Sequence, residues 1–201
     1  MKKFELTSEF ITNVLGAKLF RIKALIEFGD VSAGELGGYI EKEENLAQDG
    51  DAWVYGNAEV CGNAEVCGNA KVYGDAWVYG NAEVCGNAEV CGNAKVYGNA
   101  EVCGNAEVCG DAEVCGNAKV YGNADYSTVK GFGRIFRTTT FFRKKDKDIG
   151  VSCGCFYGTL EEFRKKVKET HGESKTAKEY LMLADLMEYK FSREMDEEVN
   201  Q

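Results

Sequence analysis

The stretch GDAWVYGNAEVCGNAEVC, Gly50 to Cys67, contains three copies of one hexapeptide, and nine more copies follow without insertion or deletion as far as Tyr121. Each copy reads Gly, then Asn or Asp, then Ala, a variable residue, Val, and finally Cys or Tyr. A six-residue period with one aliphatic and one small residue per unit is typical of a parallel β-helix. The repeats contain no His, Ser or Thr, which argues against an enzyme active site within them.

Strand alternation predicts which side chains of each hexapeptide face inward. In Ala-x-Val-Cys, successive side chains point to opposite faces, so Ala and Val share one face and the variable residue shares the other with Cys or Tyr. A narrow coil can enclose only the smaller pair. We therefore expect Ala and Val inside, the other two outside, and Gly with Asn or Asp at the corners, where positive φ is tolerated.

Each Val of the repeats is followed four positions later by a small residue, from Val54 and Ala58 to Val120 and Ala124. This pattern resembles the left-handed β-helix of the hexapeptide-repeat superfamily. The resemblance implies three hexapeptides per triangular coil, about four turns in this chain, and stacking of residues eighteen apart. A right-handed β-helix is the alternative.

Stacking at eighteen residues would sort the variable residues into three outer columns. The identities of the variable residues repeat every four hexapeptides, whereas the coil would close every three. Tandem duplication explains this order better than selection for one face does, which favours a supporting role for the repeats. The predicted columns are Trp53, Lys71, Glu89 and Glu107; Glu59, Trp77, Lys95 and Glu113; and Glu65, Glu83, Glu101 and Lys119.

Seven of the nine cysteines occupy the last slot of the hexapeptide, which Tyr fills in the other five copies. A slot shared by Cys and Tyr indicates packing, and without an export signal we expect reduced thiols. Cys67, Cys85 and Cys103 would form a ladder beside three glutamates, the one arrangement in the repeats that could hold a soft metal. No metal site is predicted there, because zinc prefers convergent tetrahedral ligands.

Composition indicates a soluble, compact protein, with 44% hydrophobic and 28% charged residues. No apolar run is long enough to span a membrane, and the start, MKKFELTSEF, lacks the apolar core of a signal peptide. A cytoplasmic location, without membrane association, is therefore expected. The predicted segments are an N-terminal β cap (1–49), the β-helix (50–127) and a C-terminal α+β module (128–201), in a mainly β protein.

The flanking segments are irregular. Before the repeats, residues 18–28 read as an apolar strand, followed by Leu36, Ile40 and Leu46 as anchors of a cap that covers the end of the helix core. After the repeats, residues 135–142 and 149–156 read as a β-hairpin. Two helices follow, the first with a capping box at Thr159 and Glu162 and a stop at Gly172, the second from about Ser174. The predicted module is ββαα.

A basic, aromatic cluster in this module is the candidate ligand site. Residues 128–168 contain eleven Lys and Arg against four acidic residues, whereas residues 50–127 contain three against eleven. Cations interleaved with aromatic rings suit a phosphate-bearing, ring-bearing ligand; the alternative is that the rings form the core and the cations are solvated. The predicted anion-binding residues are Lys130, Arg134, Arg137, Phe141, Arg143, Lys144 and Lys145.

Three further residues of the module could ligate a metal. Cys153 and Cys155 would share one face of a strand, and His171 lies near a helix end. A fourth ligand is not identifiable, so neither a metal nor a cofactor is predicted. A Cys–His nucleophile is not predicted either, since the sequence shows no third, orienting group.

The whole chain resembles phage- and prophage-encoded hexapeptide-repeat proteins that are labelled as transferases. Acyltransferases of the superfamily use a histidine in or near the helix, at a site between subunits of a trimer, and the one histidine here, His171, lies about fifty residues beyond the repeats. We therefore expect a non-enzymatic binding or scaffold protein that self-associates, with a homotrimer as the family-like form. The alternatives are a counter-defence protein that binds a host nucleotide signal or a host protein, and an atypical acyltransferase.

Overall fold

The computed structural model describes residues 2–133 and 136–197. By its internal contacts the chain divides into two units, Met1–Asn117 with Tyr121–Asn123, and Ala118–Val120 with Ala124–Gln201. The first unit holds a parallel β-solenoid of about five turns, and the second ends in two helices, so the protein is mainly β. Each unit is described below by itself.

The first unit begins with three longer strands, β1 (Phe4–Thr12), β2 (Lys18–Ala24) and β3 (Leu36–Ile40), which pair antiparallel in that order. Each repeat then contributes a strand of two residues. These strands are β4 (Trp53–Val54), β5 (Glu59–Val60), β6 (Glu65–Val66), β7 (Lys71–Val72), β8 (Trp77–Val78), β9 (Glu83–Val84), β10 (Glu89–Val90), β11 (Lys95–Val96), β12 (Glu101–Val102), β13 (Glu107–Val108) and β14 (Glu113–Val114).

The short strands stack as three parallel ladders. One ladder runs β4, β7, β10, β13, a second runs β5, β8, β11, β14, and a third includes β6, β9 and β12. Partners are eighteen residues apart, as in Trp53 with Lys71 and Glu89 with Glu107. Within the solenoid, this register gives the columns that the hexapeptide pattern predicts.

The solenoid has more turns than the predicted four, because its first coil lies outside the repeats. Strand β3 pairs parallel with β5, Tyr39 with Glu59 and Ile40 with Val60. Leu46 makes a parallel bridge to Val66. The segment before the repeats therefore supplies a coil of its own, which the hexapeptide pattern could not indicate because its sequence is irregular.

Every Ala and Val of the repeats is buried, with an exposed fraction of at most 1%. These two residues fill the interior of the coils, as the alternation predicts. Full burial of a valine stabilises by about 1.5 kcal/mol or more, so each coil gains stability from its valines. The glycines at the corners, such as Gly86 at φ +67°, have the positive φ that the turn requires.

The N-terminal strands cover part of the outer surface, which corrects two expectations. Trp53, predicted to face outward, is fully buried by edge-on contacts with the rings of Phe4 and Phe28, 6.2 and 5.3 Å away. Leu36, predicted as an anchor, is 48% exposed, while Ile40 and Leu46 are buried. The sequence could not show these differences, because strand β1 reads as a polar segment and was not predicted.

A buried lysine closes the start of the solenoid. The ammonium group of Lys3 donates to the carbonyl oxygens of Asp49, Gly50 and Ala52 at 3.0 to 3.3 Å and lies 4.9 Å from the ring centre of Phe28. Burial lowers the pKa of Lys3, against the opposing effect of Asp49 and Asp51. The lysine therefore satisfies backbone acceptors at the end of the ladder that lack a further coil to donate to them.

The expectation of reduced thiols throughout the repeats is wrong in this structure. Disulfides join Cys85 to Cys103 and Cys91 to Cys109, each across eighteen residues. Stacking places the two Cα atoms of each pair 4.6 Å apart, which is within the range that a disulfide spans. Coil geometry thus brings the sulfur atoms together regardless of cellular compartment. Cys61, Cys67 and Cys115 are outside these two disulfides.

The second unit contains the last repeat strand, β15 (Lys119–Val120), and a four-stranded antiparallel sheet. The sheet order is β16 (Tyr126–Phe132), β17 (Arg137–Arg143), β18 (Ile149–Cys153) and β19 (Phe156–Thr159). The pairing of β17 with β18 matches the predicted hairpin, although β18 ends at Cys153 and Phe156 begins β19, and Ile135 lies outside the described residues. The predicted ββαα arrangement is wrong by two strands. Strands β16 and β19 carry glycines and polar residues that read as boundary segments, and they form because they pair with the hairpin.

Two helices complete this unit, α1 (Leu160–His171) and α2 (Lys175–Glu197). The Thr159 hydroxyl accepts from the Glu162 N–H, the Glu162 carboxylate accepts from the Thr159 N–H, and Gly172 ends the helix, as predicted. Phe141, Val151 and Phe163 pack with the buried face of α2 in one core. No helix among residues 2–133 and 136–197 has the length and apolarity to cross a membrane.

Candidate active site

A pocket of about 520 Å³ opens in the second unit, between the sheet and the two helices. Pockets of this size hold small ligands. Its lining combines three basic side chains, two thiols and three aromatic rings within one concave surface. The lining residues are Arg137, Cys153, Cys155, Phe156, Phe163, Lys166, Val167, Thr170, His171 and Tyr180.

The sheet contributes a turn that carries both thiols. Strands β18 and β19 are joined through Cys153, Gly154 and Cys155, with Cys153 opposite Phe156 in the register. Gly154 has φ +63°, and a side chain there would collide with the guanidinium of Arg137. Arg137 therefore lies directly over the turn. Only a glycine allows both the tight turn and this approach.

Helix α1 contributes the opposite wall. Phe163, Lys166, Val167 and Thr170 are spaced at three and four residues, which places them on one face of the helix with His171 at its last turn. Phe163 and Val167 are buried, whereas Lys166 is exposed. The same helical face thus supplies two buried apolar side chains and one exposed cation to the pocket.

Tyr180 of α2 also lines the pocket. Its ring is 5.7 Å from the Phe163 ring and 6.0 Å from the His171 ring. Burial, together with the adjacent Cys153 thiol, raises the pKa of Tyr180 to about 12. The Tyr180 hydroxyl is therefore protonated near neutral pH and can serve as a hydrogen-bond donor in the pocket.

The two thiols differ in their surroundings. The Thr139 hydroxyl donates to the Cys153 sulfur at 3.2 Å, and Cys153 also interacts with Tyr180. Cys155 is exposed. Cys153 is thus held by the protein, while Cys155 faces solvent in the pocket and is accessible to a reactant.

The structure separates the predicted anion-binding residues. Arg137 lines the pocket, and Phe141 is fully buried in the core. Arg143 is used internally, since its guanidinium pairs with Asp125 at 3.1 Å and donates to the carbonyl oxygen of Phe191 at 2.9 Å. Lys130, Lys144 and Lys145 are not among the pocket residues, and Arg134 lies outside the described residues.

The pocket also shows which residues the sequence reasoning overlooked. Lys166, Thr170 and Tyr180 lie in the two predicted helices and are absent from the predicted cluster, whose residues lie in and beside the predicted hairpin. A signal did exist in the spacing of Phe163, Lys166 and Thr170, which places a cation and a hydroxyl beside an apolar position. Their approach to the thiols depends on how α1 packs on the sheet, which the sequence does not show.

Cys153, Cys155 and His171 line one pocket but do not converge as metal ligands. Among the described residues, groups of three with ligand atoms within 4.8 Å of one another occur in the solenoid, as Glu83 with Cys85 and Cys103, and Cys91 with Glu107 and Cys109. The two thiols and the imidazole of the pocket do not form such a group in the part of the chain that the structure describes.

Comparison with known proteins gives one line of support for transferase chemistry. The chain is similar to an uncharacterized acetyltransferase, YdcK, of Escherichia coli (strain K12), with 40% identity over 62 residues. The matched part covers 27% of this chain and 19% of the relative, so the chain spans about a fifth of that protein's length. No family model matches the chain. This similarity and the solenoid fit a hexapeptide-repeat β-helix.

The similarity corrects the expectation of a non-enzymatic protein. That expectation depended on the absence of a histidine from the repeats, yet the curated protein that the chain resembles is named as an acetyltransferase. The pocket, in turn, places the single histidine beside two thiols in the second unit. A base missing from the repeats is therefore not a reason to exclude enzyme activity.

Proposed function

We propose that this protein is an atypical acyltransferase whose chemistry takes place in the pocket of the second unit. The observation that carries the proposal is the assembly of Cys155, His171, Arg137 and Lys166 around one cavity. A thiol and an imidazole can form and resolve an acyl intermediate, and the cations can hold an anionic donor. The similarity to a protein named as an acetyltransferase supports the same class of reaction.

The proposed step is transfer of an acyl group to Cys155 from a thioester. The His171 imidazole takes the proton of the Cys155 thiol, and the thiolate attacks the carbonyl carbon of the donor. A new carbon–sulfur bond forms, the bond to the donor sulfur breaks, and the released thiolate takes the proton from the imidazolium. An acceptor hydroxyl or amine then removes the acyl group from Cys155 by the reverse sequence of proton transfers.

The rest of the pocket suits a donor that bears a nucleotide, such as acetyl-coenzyme A. Arg137 and Lys166 supply positive charge for phosphate groups, and Phe156, Phe163 and Tyr180 supply ring surface. Arginine is well suited to this role, because its planar group binds phosphate through two parallel hydrogen bonds. The Tyr180 hydroxyl can donate to the ligand at neutral pH.

A second candidate function uses the same pocket. The combination of cations and rings also favours a nucleotide signal of the host as the ligand, in which case the protein acts in counter-defence by sequestering it. The two candidates differ in what the thiol does. Sequestration leaves Cys155 unmodified, whereas acyl transfer requires it.

The other features proposed with this function concern the setting. We propose a left-handed coil with three hexapeptides per turn, a homotrimeric assembly and a phage or prophage origin with residence in a bacterial cytoplasm. The tandem regularity of the hexapeptides supports the first of these. In this arrangement, the solenoid is the carrier of the second unit, where the chemistry takes place.

Binding and turnover test the proposal separately. We expect acetyl-coenzyme A to raise the melting temperature of the full chain, since a ligand at a hundred times its Kd stabilises by about 2.7 kcal/mol. Lys166→Ala should abolish most of this shift, and Lys165→Ala, its neighbour outside the pocket lining, should keep it. An equal shift for both variants would place the ligand elsewhere.

Turnover then separates the two candidates. His171→Ala and Cys155→Ser should retain the melting shift and lose release of free coenzyme A, measured with a thiol reagent in the presence of an amine or hydroxyl acceptor. Cys153→Ser, at the thiol held by Thr139, is the matched control and should keep turnover. A melting shift with nucleotides, with no turnover in the wild-type protein, would favour sequestration over acyl transfer.

A further inference from the structure

Outside the pocket, the strongest concentration of reactive groups is on the outer surface of the solenoid. Two groups of three residues, each with two cysteines and one glutamate, have their ligand atoms within 4.8 Å of one another. One group is Glu83, Cys85 and Cys103, and the other is Cys91, Glu107 and Cys109. The same set of ligand types thus occurs on two different columns of the solenoid.

The stacking of the coils creates both groups. The variable residue and the Cys of one hexapeptide are two positions apart, so their side chains project from the same face of the strand. Glu83 and Cys85 therefore point the same way. The coil above then supplies Cys103, with its Cα 4.6 Å from that of Cys85. In the second group, the Cys109 sulfur lies 3.3 Å from a carboxylate oxygen of Glu107.

This spacing suits tetrahedral coordination by a thiophilic metal. Zinc–sulfur bonds of about 2.3 Å place two sulfur ligands of one tetrahedron about 3.8 Å apart. The separation of successive coils is slightly larger, 4.6 Å between the Cα atoms. A small inclination of the two side chains toward each other therefore brings their sulfurs to the edge length of the tetrahedron. The glutamate fills a third position and water the fourth.

Each cysteine pair has a glutamate on both of its coils, and tyrosine hydrogen bonds distinguish the two. Glu101, beside Cys103, accepts a hydrogen bond from the Tyr121 hydroxyl at 2.8 Å. Glu89, beside Cys91, accepts one from the Tyr73 hydroxyl at 2.7 Å. In each group, the glutamate of the other coil is the one that lies with the two sulfurs.

The charge of this surface favours a cation over free thiolates. Glutamates on successive coils, such as Glu65, Glu83 and Glu101, are stacked in register. A bound divalent cation neutralises this surface and allows both thiols of a pair to ionise.

We propose that the reduced solenoid binds two zinc-class divalent cations, one through Cys85, Cys103 and Glu83 and the other through Cys91, Cys109 and Glu107. A dithiol reductant first converts each disulfide into two thiols and is itself oxidised to a cyclic disulfide. Each pair of thiols then loses two protons to solvent as the cation binds. The disulfide and the metal-bound form are thus alternative states of the same cysteine pair.

The test is a titration of the reduced full chain with zinc alone, after the dithiol is removed without air. We expect two zinc ions per wild-type chain, one for C85S/C103S, one for C91S/C109S and none for the variant with all four substitutions. Circular dichroism establishes that each variant keeps its strands. Two ions on the fourfold variant, or none on the reduced wild-type protein, would overturn the proposal.

Carboxylate variants test the site without removing sulfur. Glu83→Gln should weaken the affinity of the first site about tenfold or more, since even partners outside the ligand set contribute on that scale. Glu101→Gln, the matched control in the same column, should leave it unchanged, because Tyr121 already occupies that carboxylate. Equal affinities for the two variants would mean that the ion does not use Glu83.

Discussion

The solenoid and the second unit use opposite strategies to bring side chains together. In the solenoid, contacts are between equivalent residues eighteen positions apart, so Val72 meets Val90 and Asn69 meets Asn87. In the second unit, the pocket combines residues from three strands and two helices that share no pattern. Repetition multiplies one contact, whereas irregular packing can place a thiol, an imidazole and a guanidinium around one cavity. Irregular packing thus gives the second unit a pocket lined by mixed chemical groups, whereas the repeats determine the fold of the solenoid.

The largest effect is expected from a charge in the solenoid interior. Val90→Asp places a carboxylate at a position with no exposed surface, which should cost about 3 kcal/mol or more in the free energy of unfolding. Glu65→Gln, on the outer face of another coil, is the control and should change it by less than about 0.5 kcal/mol. Urea denaturation followed by circular dichroism measures both. Similar losses would contradict the inward placement of valine.

A smaller effect is expected where coils approach each other at the corners. In Gly86→Ala, the new methyl group would lie 2.9 Å from the backbone nitrogen of Gly104, and φ is +67°. In Gly56→Ala, φ is +59° and nothing lies within 4 Å. In both variants, an alanine in the left-handed region should lower the free energy of unfolding by about 1 kcal/mol. Gly86→Ala should lower it further, because backbone atoms of the adjacent coil must move away. Equal losses in urea denaturation would mean that coil spacing tolerates a side chain.

The helix cap gives a comparable test in the second unit. Thr159→Ala removes the acceptor for the Glu162 N–H and should cost about 1 kcal/mol. Thr159→Ser retains the hydroxyl and should keep most of the stability that Thr159→Ala loses. Amide exchange across α1 reports this change directly. A loss that serine does not restore would point to packing of the threonine methyl group instead.

The smallest expected effect is the pH dependence of the same cap. Hydrogen bonds from Thr159 lower the pKa of Glu162. The stabilisation is therefore present above the unfolded carboxyl pKa, near 4.3, and is lost as the pH falls through the lower folded value. Glu162→Gln should reduce the loss of stability between neutral and acidic pH, measured by urea denaturation. An unchanged pH profile in this variant would show that Glu162 is not responsible.

How far the sequence predicts the structure differs between the two regions. The alternation of Ala and Val predicts the interior, because each coil repeats the same local preference. The resemblance to hexapeptide-repeat proteins implies the stacking of residues eighteen apart, which the ladders confirm. The alternation did not give the first coil or the burial of Trp53, since both depend on how strands β1 to β3 pack. The disulfides followed from coil spacing, which compartment-based reasoning does not consider.

In the second unit, local signals gave the elements but not the site. The capping box, the glycine stop and the β17–β18 hairpin were all predicted from short-range patterns. The predicted anion-binding residues follow the chain, and the structure places them apart: Arg143 lies in an internal ion pair and Phe141 in the core, whereas Arg137 lines the pocket. The pocket depends on the contact between α1 and the sheet, and that contact is long-range.

Mass spectrometry of the full chain after exposure to acetyl-coenzyme A tests the central claim most directly. Acylation in the pocket predicts an acetyl group on the peptide that contains Cys155, its loss in His171→Ala, and no acetyl group on Cys67, a free thiol of the solenoid. Acetylation that is spread over Cys67 and Cys155 alike, or that persists in His171→Ala, would contradict the account, because it would reflect thiol exposure and not a built site.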